Sequence, residues 1–215
     1  MNELLRKLYE QHHASGNRLR QSFMEQTRAQ LFSKWIGQGK QVLDLGCRDG
    51  TLTRHYVEGN DVTGGDIDVA ALHYASHTYS FKIQHVDLNN VLPFEDESFD
   101  VVVMAEVLEH LPYPVTTLQE VHRILKPNSA FIGNVPLAYH LKDRYRVLRG
   151  KKLTLAGDPT HVRFYSYDDI QTLLTTCFHI EDIVILKGET WGRFSARLFA
   201  RNIAFRCVKR APIAG

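Results

Sequence analysis

The apolar positions of this chain change their period along the sequence. Short runs rich in valine, isoleucine and leucine alternate with longer segments in which apolar residues recur every three or four positions. The short runs predict strands buried on both faces, and the longer segments predict helices that cover the sheet. This alternation is typical of an α/β fold. The predicted strands are residues 41–45, 61–66, 81–85, 100–104, 130–135, 180–186 and 199–208.

Helical spacing also precedes the first strand, over residues 2–36, and a break at residues 15–17 divides it into two predicted helices. Further along, Ser166 precedes two acids, a pattern that predicts a helix start because a serine oxygen and early acids satisfy free N–H groups. The other predicted helices are residues 51–58, 69–77, 114–125 and 170–177, and Pro127 follows the third of them, where it cannot continue the helix.

The length of 215 residues suits one domain with additions to its core. We expect a single domain that consists of an N-terminal helical cover (1–37), a core (38–136), a cap insertion (137–165) and a C-terminal helix with two strands (166–215). The insertion is basic and is predicted to be irregular. Six lysines and arginines lie between residues 142 and 152, against the single acid Asp143.

Composition narrows the classes of function. The 26 lysines and arginines nearly balance the 24 acids, so charge gives no reason to expect a nucleic-acid partner. Three cysteines without a CxxC pair predict neither a disulfide framework nor a structural zinc site, and they fit a reducing compartment. No stretch approaches the ~20 apolar residues of a membrane span. We therefore expect a cytoplasmic protein without a transmembrane segment.

The stretch QVLDLGCRDG, residues 41–50, combines a strand with an acid, Asp44, and two glycines, Gly46 and Gly50. Glycines let the backbone approach a ligand, and a strand-to-helix turn presents free N–H groups. A dinucleotide site would have GxGxxG and no acid at the turn, because a carboxylate repels pyrophosphate. The pattern therefore favours a phosphate-free nucleoside with a positive group, such as S-adenosylmethionine. Read alone, Asp44 is also compatible with a cap and the glycines with simple turns, but that leaves acids at two later strand ends without a role.

Three segments of the chain resemble class I S-adenosylmethionine-dependent methyltransferases of the branch often called type 11. VLDLGCRDG is similar to the first motif, VTGGDID to the second strand, and residues 85–114 to the third and fourth strands. The family has a glycine where this chain has Arg48. The resemblance covers roughly residues 38–136. It implies a Rossmann-like three-layer α/β/α fold with a seven-stranded, mostly parallel sheet whose last strand is antiparallel.

The resemblance also implies the cofactor, S-adenosylmethionine, and its product, S-adenosylhomocysteine. Asp66 would receive the ribose hydroxyls, and Asp87 with Leu88 would hold the adenine. Cys47 suits a small buried position better than that of a nucleophile. The residues expected to bind the cofactor are Asp44, Gly46, Cys47, Gly50, Asp66, Ile67, Asp87, Leu88 and Ala105.

Residues 106–110, EVLEH, follow the fourth strand, where the family's acceptor cleft opens. Histidine suits a general base at neutral pH, so His110 and His161 are the candidate catalytic residues together with Glu106, although a purely structural His110 stays open. ExxEH also resembles the metal-binding motif of ubiquinone-pathway and small-RNA 3′-end O-methyltransferases. We do not expect a divalent metal; if one binds, its ligands would be Glu106, Glu109, His110 and His161.

The expected function is O-methylation of a small-molecule or glycan acceptor, and the basic insertion favours an anionic one. N-methylation is left open. The alternatives are a metal-assisted RNA 3′-end or quinone-type O-methyltransferase and a non-catalytic S-adenosylmethionine-binding partner protein. The sequence does not determine the acceptor or the oligomeric state.

Overall fold

The computed structural model describes residues 20–209 and Lys7. The first of the two predicted N-terminal helices lies outside the described residues, and the second is α1. The helices are α1 (Glu25–Ile36), α2 (Val69–Tyr79), α3 (Pro114–Ile124), α4 (Leu141–Leu148), α5 (Tyr167–Thr175), α6 (Glu189–Gly192) and α7 (Ala196–Phe199). The strands are β1 (Gln41–Leu45), β2 (Asp61–Asp66), β3 (Lys82–His85), β4 (Phe99–Ala105), β5 (Leu125–Pro136), β6 (His179–Lys187) and β7 (Asn202–Val208).

The seven strands form one sheet in the order β3-β2-β1-β4-β5-β7-β6. The first five strands are parallel, and β7 lies antiparallel to both β5 and β6. Strands β1 to β6 therefore all end at one edge of the sheet, which we call the carboxyl edge. The expected Rossmann-like sheet with an antiparallel last strand is confirmed.

The side chains of successive residues in the central strands pack into two separate apolar cores. Phe131 of β5 packs into a cluster with α3 and α5, whereas its neighbour Ile132 packs into a cluster with Phe32 of α1. Because side chains alternate across a strand, each face of the sheet receives its own apolar layer. This gives the three-layer arrangement. None of the helices in the described residues combines the length and apolar content needed to cross a bilayer.

Several sequence-based assignments differ from the structure, among them the start of β5, which is Leu125 rather than residue 130. The helix predicted over residues 51–58 is wrong, because only the 3₁₀ turn Thr53–Tyr56 forms and both of its ends are tied to Asp44 of β1. The cap insertion is not wholly irregular, since it contains α4, whose apolar residues face outward and so give no core-like signal. The loop around Trp191 contains α6 and α7, and β7 consequently begins at Asn202 rather than at residue 199.

Candidate active site

A cavity of about 960 Å³ opens at the carboxyl edge of the sheet. Its walls come from the segments that follow β1, β2, β3 and β4, from the residues before α1, and from residues 159–162. Parallel strands end on the same side, so the topology collects their terminal polar residues here. The sequence-predicted residues that line the cavity are Asp44, Gly46, Cys47, Asp66, Ile67, Asp87, Leu88, Ala105, Glu106, His110 and His161, together with Glu109.

Gly50 is the predicted site residue that does not line the cavity. It has φ +73°, and a Cβ there would lie 2.8 Å from the ring of Phe81. Gly46, by contrast, has φ +79° inside the site, and a Cβ there would collide with the side chain of Val107. Both glycines thus shape the turn, but only Gly46 opens onto the ligand space.

Asp44 lies at the inner end of the cavity and is 2% exposed. One of its oxygens accepts hydrogen bonds from the Thr53 hydroxyl at 2.6 Å and from the Tyr56 hydroxyl. Burial raises the pKa of Asp44 to about 6, while these two bonds and the charge of Arg28 act in the opposite direction. A cationic ligand beside this carboxyl would favour its ionised form.

The turn after β1 is held by the acid at the end of β2. The backbone amide of Arg48 donates to Asp66 at 2.8 Å, and the amide of Asp68 donates to the same carboxylate at 2.9 Å. Arg48 has φ +51°, the left-handed conformation that its glycine counterpart adopts readily. Its guanidinium donates to the carbonyl of Gln21 and lies 3.5 Å from a carboxylate oxygen of Asp49. The arginine therefore preserves the turn geometry.

The loop after β3 is fixed by its own side chains. Asp87 accepts from the backbone amide of Asn89 at 3.0 Å and from the side-chain amide of Asn90 at 2.8 Å. The Thr117 hydroxyl donates to the carbonyl of Leu88 at 2.9 Å, and the Leu88 side chain packs against the core. These bonds give the wall a defined shape.

Arg28 is a cavity residue that the sequence analysis missed. It lies on α1 and is 2% exposed; one Nη donates to the side-chain oxygen of Asn134 at 2.9 Å, and the other donates to Ser22 at 2.6 Å. Its Nε has no hydrogen-bond partner. Burial lowers the pKa of Arg28, but a guanidinium stays charged in proteins. The spacing of residues along α1 could have identified Arg28, because it precedes the buried Phe32 by one helical turn and so lies on the apolar face of the helix.

Glu106 begins the segment after β4 in a strained backbone conformation, with φ +58°. Its carboxylate accepts from the side-chain amides of Asn202, at 2.7 Å, and Asn134. Since Asn134 also accepts from Arg28, a chain of hydrogen bonds joins α1 to Glu106 through β5. Burial raises the pKa of Glu106, and these partners and Arg28 counter that effect.

Glu109, His110 and His161 converge at one place in the cavity lining. One ligand atom from each lies within 4.8 Å of the others, and the two imidazole rings are 4.8 Å apart. Glu109 is 1% exposed, and neither carboxylate oxygen has a hydrogen-bond partner. Burial, followed by repulsion from Glu106, raises the pKa of Glu109 well above its ordinary value. Both oxygens of this buried group thus lack the partners that such a group usually has.

The backbone sets the tautomers of both histidines. Nδ1 of His110 lies 3.0 Å from the carbonyl oxygen of Thr160, and Nδ1 of His161 lies 3.2 Å from that of Leu155. A carbonyl oxygen only accepts, so each neutral ring carries its proton on Nδ1 and its lone pair on Nε2. In His110 that Nε2 is 4.0 Å from a Glu109 oxygen. Nε2 is the basic nitrogen of this tautomer, the kind of atom that general bases and metal ligands use.

Residues 43–133 match a family described as a methyltransferase domain. A ubiquinone biosynthesis O-methyltransferase from Nitrosococcus oceani is 32% identical over 111 residues, which cover 47% of each chain. A protein of the same name from Pseudomonas syringae pv. tomato is 33% identical over 120 residues, 49% of this chain and 52% of the relative. The chain therefore spans about half the length of these curated relatives.

Solved structures show the same architecture. A SAM-dependent methyltransferase from Methanosarcina mazei gives a TM-score of 0.65 at 19% identity, covering 85% of this chain and 98% of the other. A TehB-like SAM-dependent methyltransferase from Corynebacterium glutamicum gives a TM-score of 0.62, also at 19% identity, and covers 97% and 100%. At such low identity the likeness supports the fold.

Proposed function

We propose that this chain, whose residues 43–133 match a methyltransferase domain, is a class I S-adenosylmethionine-dependent methyltransferase that transfers a methyl group to an oxygen of a small-molecule acceptor. One observation carries the proposal. A single cavity is lined by three acids at or just after the carboxyl ends of β1, β2 and β3 and by two histidines whose Nδ1 atoms lie against backbone carbonyls. The acids suit a cationic, phosphate-free nucleoside, and the histidines suit an acceptor that must lose a proton.

The donor would occupy the side lined by the strand ends. Asp66, whose carboxylate the Arg48 and Asp68 amides hold in position, would accept hydrogen bonds from the ribose hydroxyls. Asp87 and Leu88 would border the adenine. Asp44 would face the positive amine, and Arg28 would receive the carboxylate of the methionine portion, since its guanidinium is the buried cation of this wall.

Methyl transfer is a displacement in line with the bond from sulfur to the methyl carbon. When bound, the donor would supply an activated methyl group; the acceptor oxygen would form the new bond to its carbon, and sulfur would keep the electron pair of the bond that breaks. The acceptor hydroxyl gives its proton to Nε2 of His110, whose Nδ1–H is held by Thr160. Glu106 would border the donor, held in position by Asn134 and Asn202.

The printed names of the relatives bear on the acceptor. Those proteins are named for O-methylation in ubiquinone biosynthesis, which favours a ring hydroxyl over a glycan for this chain as well. The outer part of the cavity has apolar walls that suit a ring, from Leu111, Pro112, Tyr113 and Val162.

A second candidate function is the same transfer assisted by a divalent metal. The observation in its favour is Glu109, a buried carboxyl with no hydrogen-bond partner on either oxygen, beside two imidazoles. Glu109, His110 and His161 would hold the ion, whereas Glu106 is already bonded to two asparagines. When bound, the ion would lower the pKa of an acceptor hydroxyl.

The test is a labelled-methyl transfer assay with a catechol as the acceptor probe. We expect His110→Gln to reduce kcat about 10²-fold or more, the usual contribution of a general base, with donor affinity nearly unchanged. His77→Gln, an exposed histidine on α2, is the matched control. Donor binding without turnover on any catechol, amine or glycan acceptor would instead support the non-catalytic binding protein.

The metal question has its own readout. If the ion binds, Mn²⁺ raises the thermal midpoint of the protein, EDTA reverses the effect, and Glu109→Gln abolishes it, while the exposed control Glu95→Gln retains it. Activity and thermal midpoint that respond to neither Mn²⁺ nor EDTA would rule out the metal-assisted candidate and leave the histidine-base mechanism standing.

A further inference from the structure

The exposed apolar side chains of this protein are concentrated on one side. Ten of the twelve exposed large apolar side chains in residues 20–209 belong to the segments that leave the carboxyl ends of β4, β5 and β6. Another, Phe23, lines the cavity, as do Tyr113 and Val162 among the ten. Such clustering of exposed apolar groups marks a surface that meets a partner.

Helix α4 has an inverted pattern of burial. Asp143 is fully buried and accepts from the amide and hydroxyl of Thr154 at 3.0 and 2.6 Å. Leu141, Tyr145 and Leu148 are spaced four and three residues apart, and they are 50%, 58% and 85% exposed. At about 100° per residue they form one apolar stripe on the side opposite Asp143. The acid therefore anchors the helix while the apolar stripe faces outward.

Basic side chains surround this stripe. Lys142 and Arg149 flank it on one side, and Arg144 flanks it on the other. Lys151 and Lys152 follow the helix and are exposed. Residues 137–165 contain seven lysines and arginines but only two acids, and one of these is the buried Asp143. The exposed face is thus both apolar and strongly cationic.

A second apolar element lies at the same edge. Trp191 and Phe194 follow β6, their ring centroids are 6.0 Å apart, and they are 62% and 80% exposed. Arg193 beside them is also exposed. Tryptophan and arginine are favoured where an apolar layer meets charged groups.

We propose that the lipid-facing rim, defined as Leu141, Tyr145, Leu148, Lys151, Lys152 and the Trp191–Phe194 pair, docks on the surface of an anionic membrane. The apolar side chains enter the interface, and the lysines and arginines bind the phosphates of anionic lipids. A second copy of this chain is a poor occupant because it would bring the same positive charge against the rim. The cavity mouth, which Tyr113 and Val162 border, then opens near the lipid.

The docking proposal is tested by co-sedimentation with vesicles in the absence of donor and acceptor, so that its outcome does not depend on methyl transfer. The wild-type protein should bind vesicles of phosphatidylcholine with about one-third phosphatidylglycerol, bind phosphatidylcholine alone much more weakly, and lose binding at high salt. Tyr145→Ser combined with Leu148→Ser should weaken binding by about tenfold or more, because the variant lacks two apolar side chains that would be removed from water at the membrane surface.

The charge component has a matched pair of variants. Lys151→Glu with Lys152→Glu should weaken binding to the anionic vesicles by about tenfold or more, whereas Lys34→Glu with Lys40→Glu, exposed lysines at the opposite edge, should weaken it far less. All these side chains are exposed, so circular dichroism and the thermal midpoint should match the wild type.

Three outcomes would overturn the proposal. They are no binding of the wild type to anionic vesicles, equal losses in the two lysine pairs, and full retention of binding by the Tyr145/Leu148 variant. If polyglutamate, an acidic polypeptide without lipid, is bound as tightly as the vesicles, the surface recognises acidic chains and the lipid assignment is wrong.

Discussion

Asp44→Asn should stabilise the free protein while it weakens donor binding. Asp44 is 2% exposed, and burial raises its pKa from 3.8 to about 6. That shift corresponds to about 3 kcal/mol at 1.36 kcal/mol per unit. The Thr53 and Tyr56 hydroxyls both donate to one oxygen, which the asparagine carbonyl can replace. The variant therefore removes a buried charge without losing these two bonds.

The pH dependence follows from the direction of the pKa shift. Between about pH 4 and 6, the folded state holds the Asp44 proton more tightly than the unfolded state, so the free energy of unfolding of the wild type falls as pH rises through this window. The advantage of Asp44→Asn should be near zero at pH 4 and approach about 3 kcal/mol at pH 8, a net figure that already contains the attraction to Arg28. Donor affinity should change in the opposite sense, because the carboxylate proposed to face the cationic amine is gone.

Urea unfolding across this pH range and calorimetric titration with S-adenosylhomocysteine measure the two effects. We expect a thermal midpoint higher by several degrees at pH 8 and affinity reduced about tenfold or more. The matched control is Asp61→Asn, which removes a half-exposed carboxylate paired with Lys82 and should change stability by about 1 kcal/mol or less. Stabilisation that is equal at pH 4 and pH 8, or unaltered affinity, would refute the reasoning.

Three further predictions concern single side chains. Arg28→Gln should weaken S-adenosylhomocysteine binding at least about tenfold by titration, whereas Arg54→Gln, an exposed arginine paired with Glu25, should not. Arg48→Gly should change the free energy of unfolding, measured with urea, by about 1 kcal/mol or less, since relief of left-handed strain offsets the entropy of glycine. A clear loss of S-adenosylhomocysteine affinity in this variant would give the arginine a direct binding role. Glu109→Gln should raise the free energy of unfolding increasingly as pH rises, because burial raises the pKa of this carboxyl. Urea unfolding with no such gain at pH 8 would contradict the raised pKa.

Local patterns were sufficient for the sheet and for one wall of the site. Strands β1 and β2 begin and end at the predicted residues, because apolar runs bounded by polar groups report burial within the run itself. Asp44, Asp66 and Asp87 were found for the same reason, since each lies in, at the end of, or just after such a run. The parallel order of the strands then brings them to one cavity.

Local sequence patterns do not predict contacts between residues that are far apart along the chain. Arg28 reaches Asn134 across 106 positions, and His110 bonds the carbonyl of Thr160 across 50. The predicted helix after β1 was wrong because Asp44 ties residues 53 and 56 in place, an interaction that helical propensity does not contain.

The sequence by itself determined the order of the seven strands along the chain, the acids near the strand ends and the glycine turn, because these depend on neighbours along the chain. The tertiary structure alone decided that α1 places a guanidinium in the cavity lining and that the cap insertion packs His161 against the ring of His110. It also decided that the Glu109 carboxylate is buried without a hydrogen-bond partner. The physical reason is that burial and electrostatic environment are set by whichever segments fold against a residue.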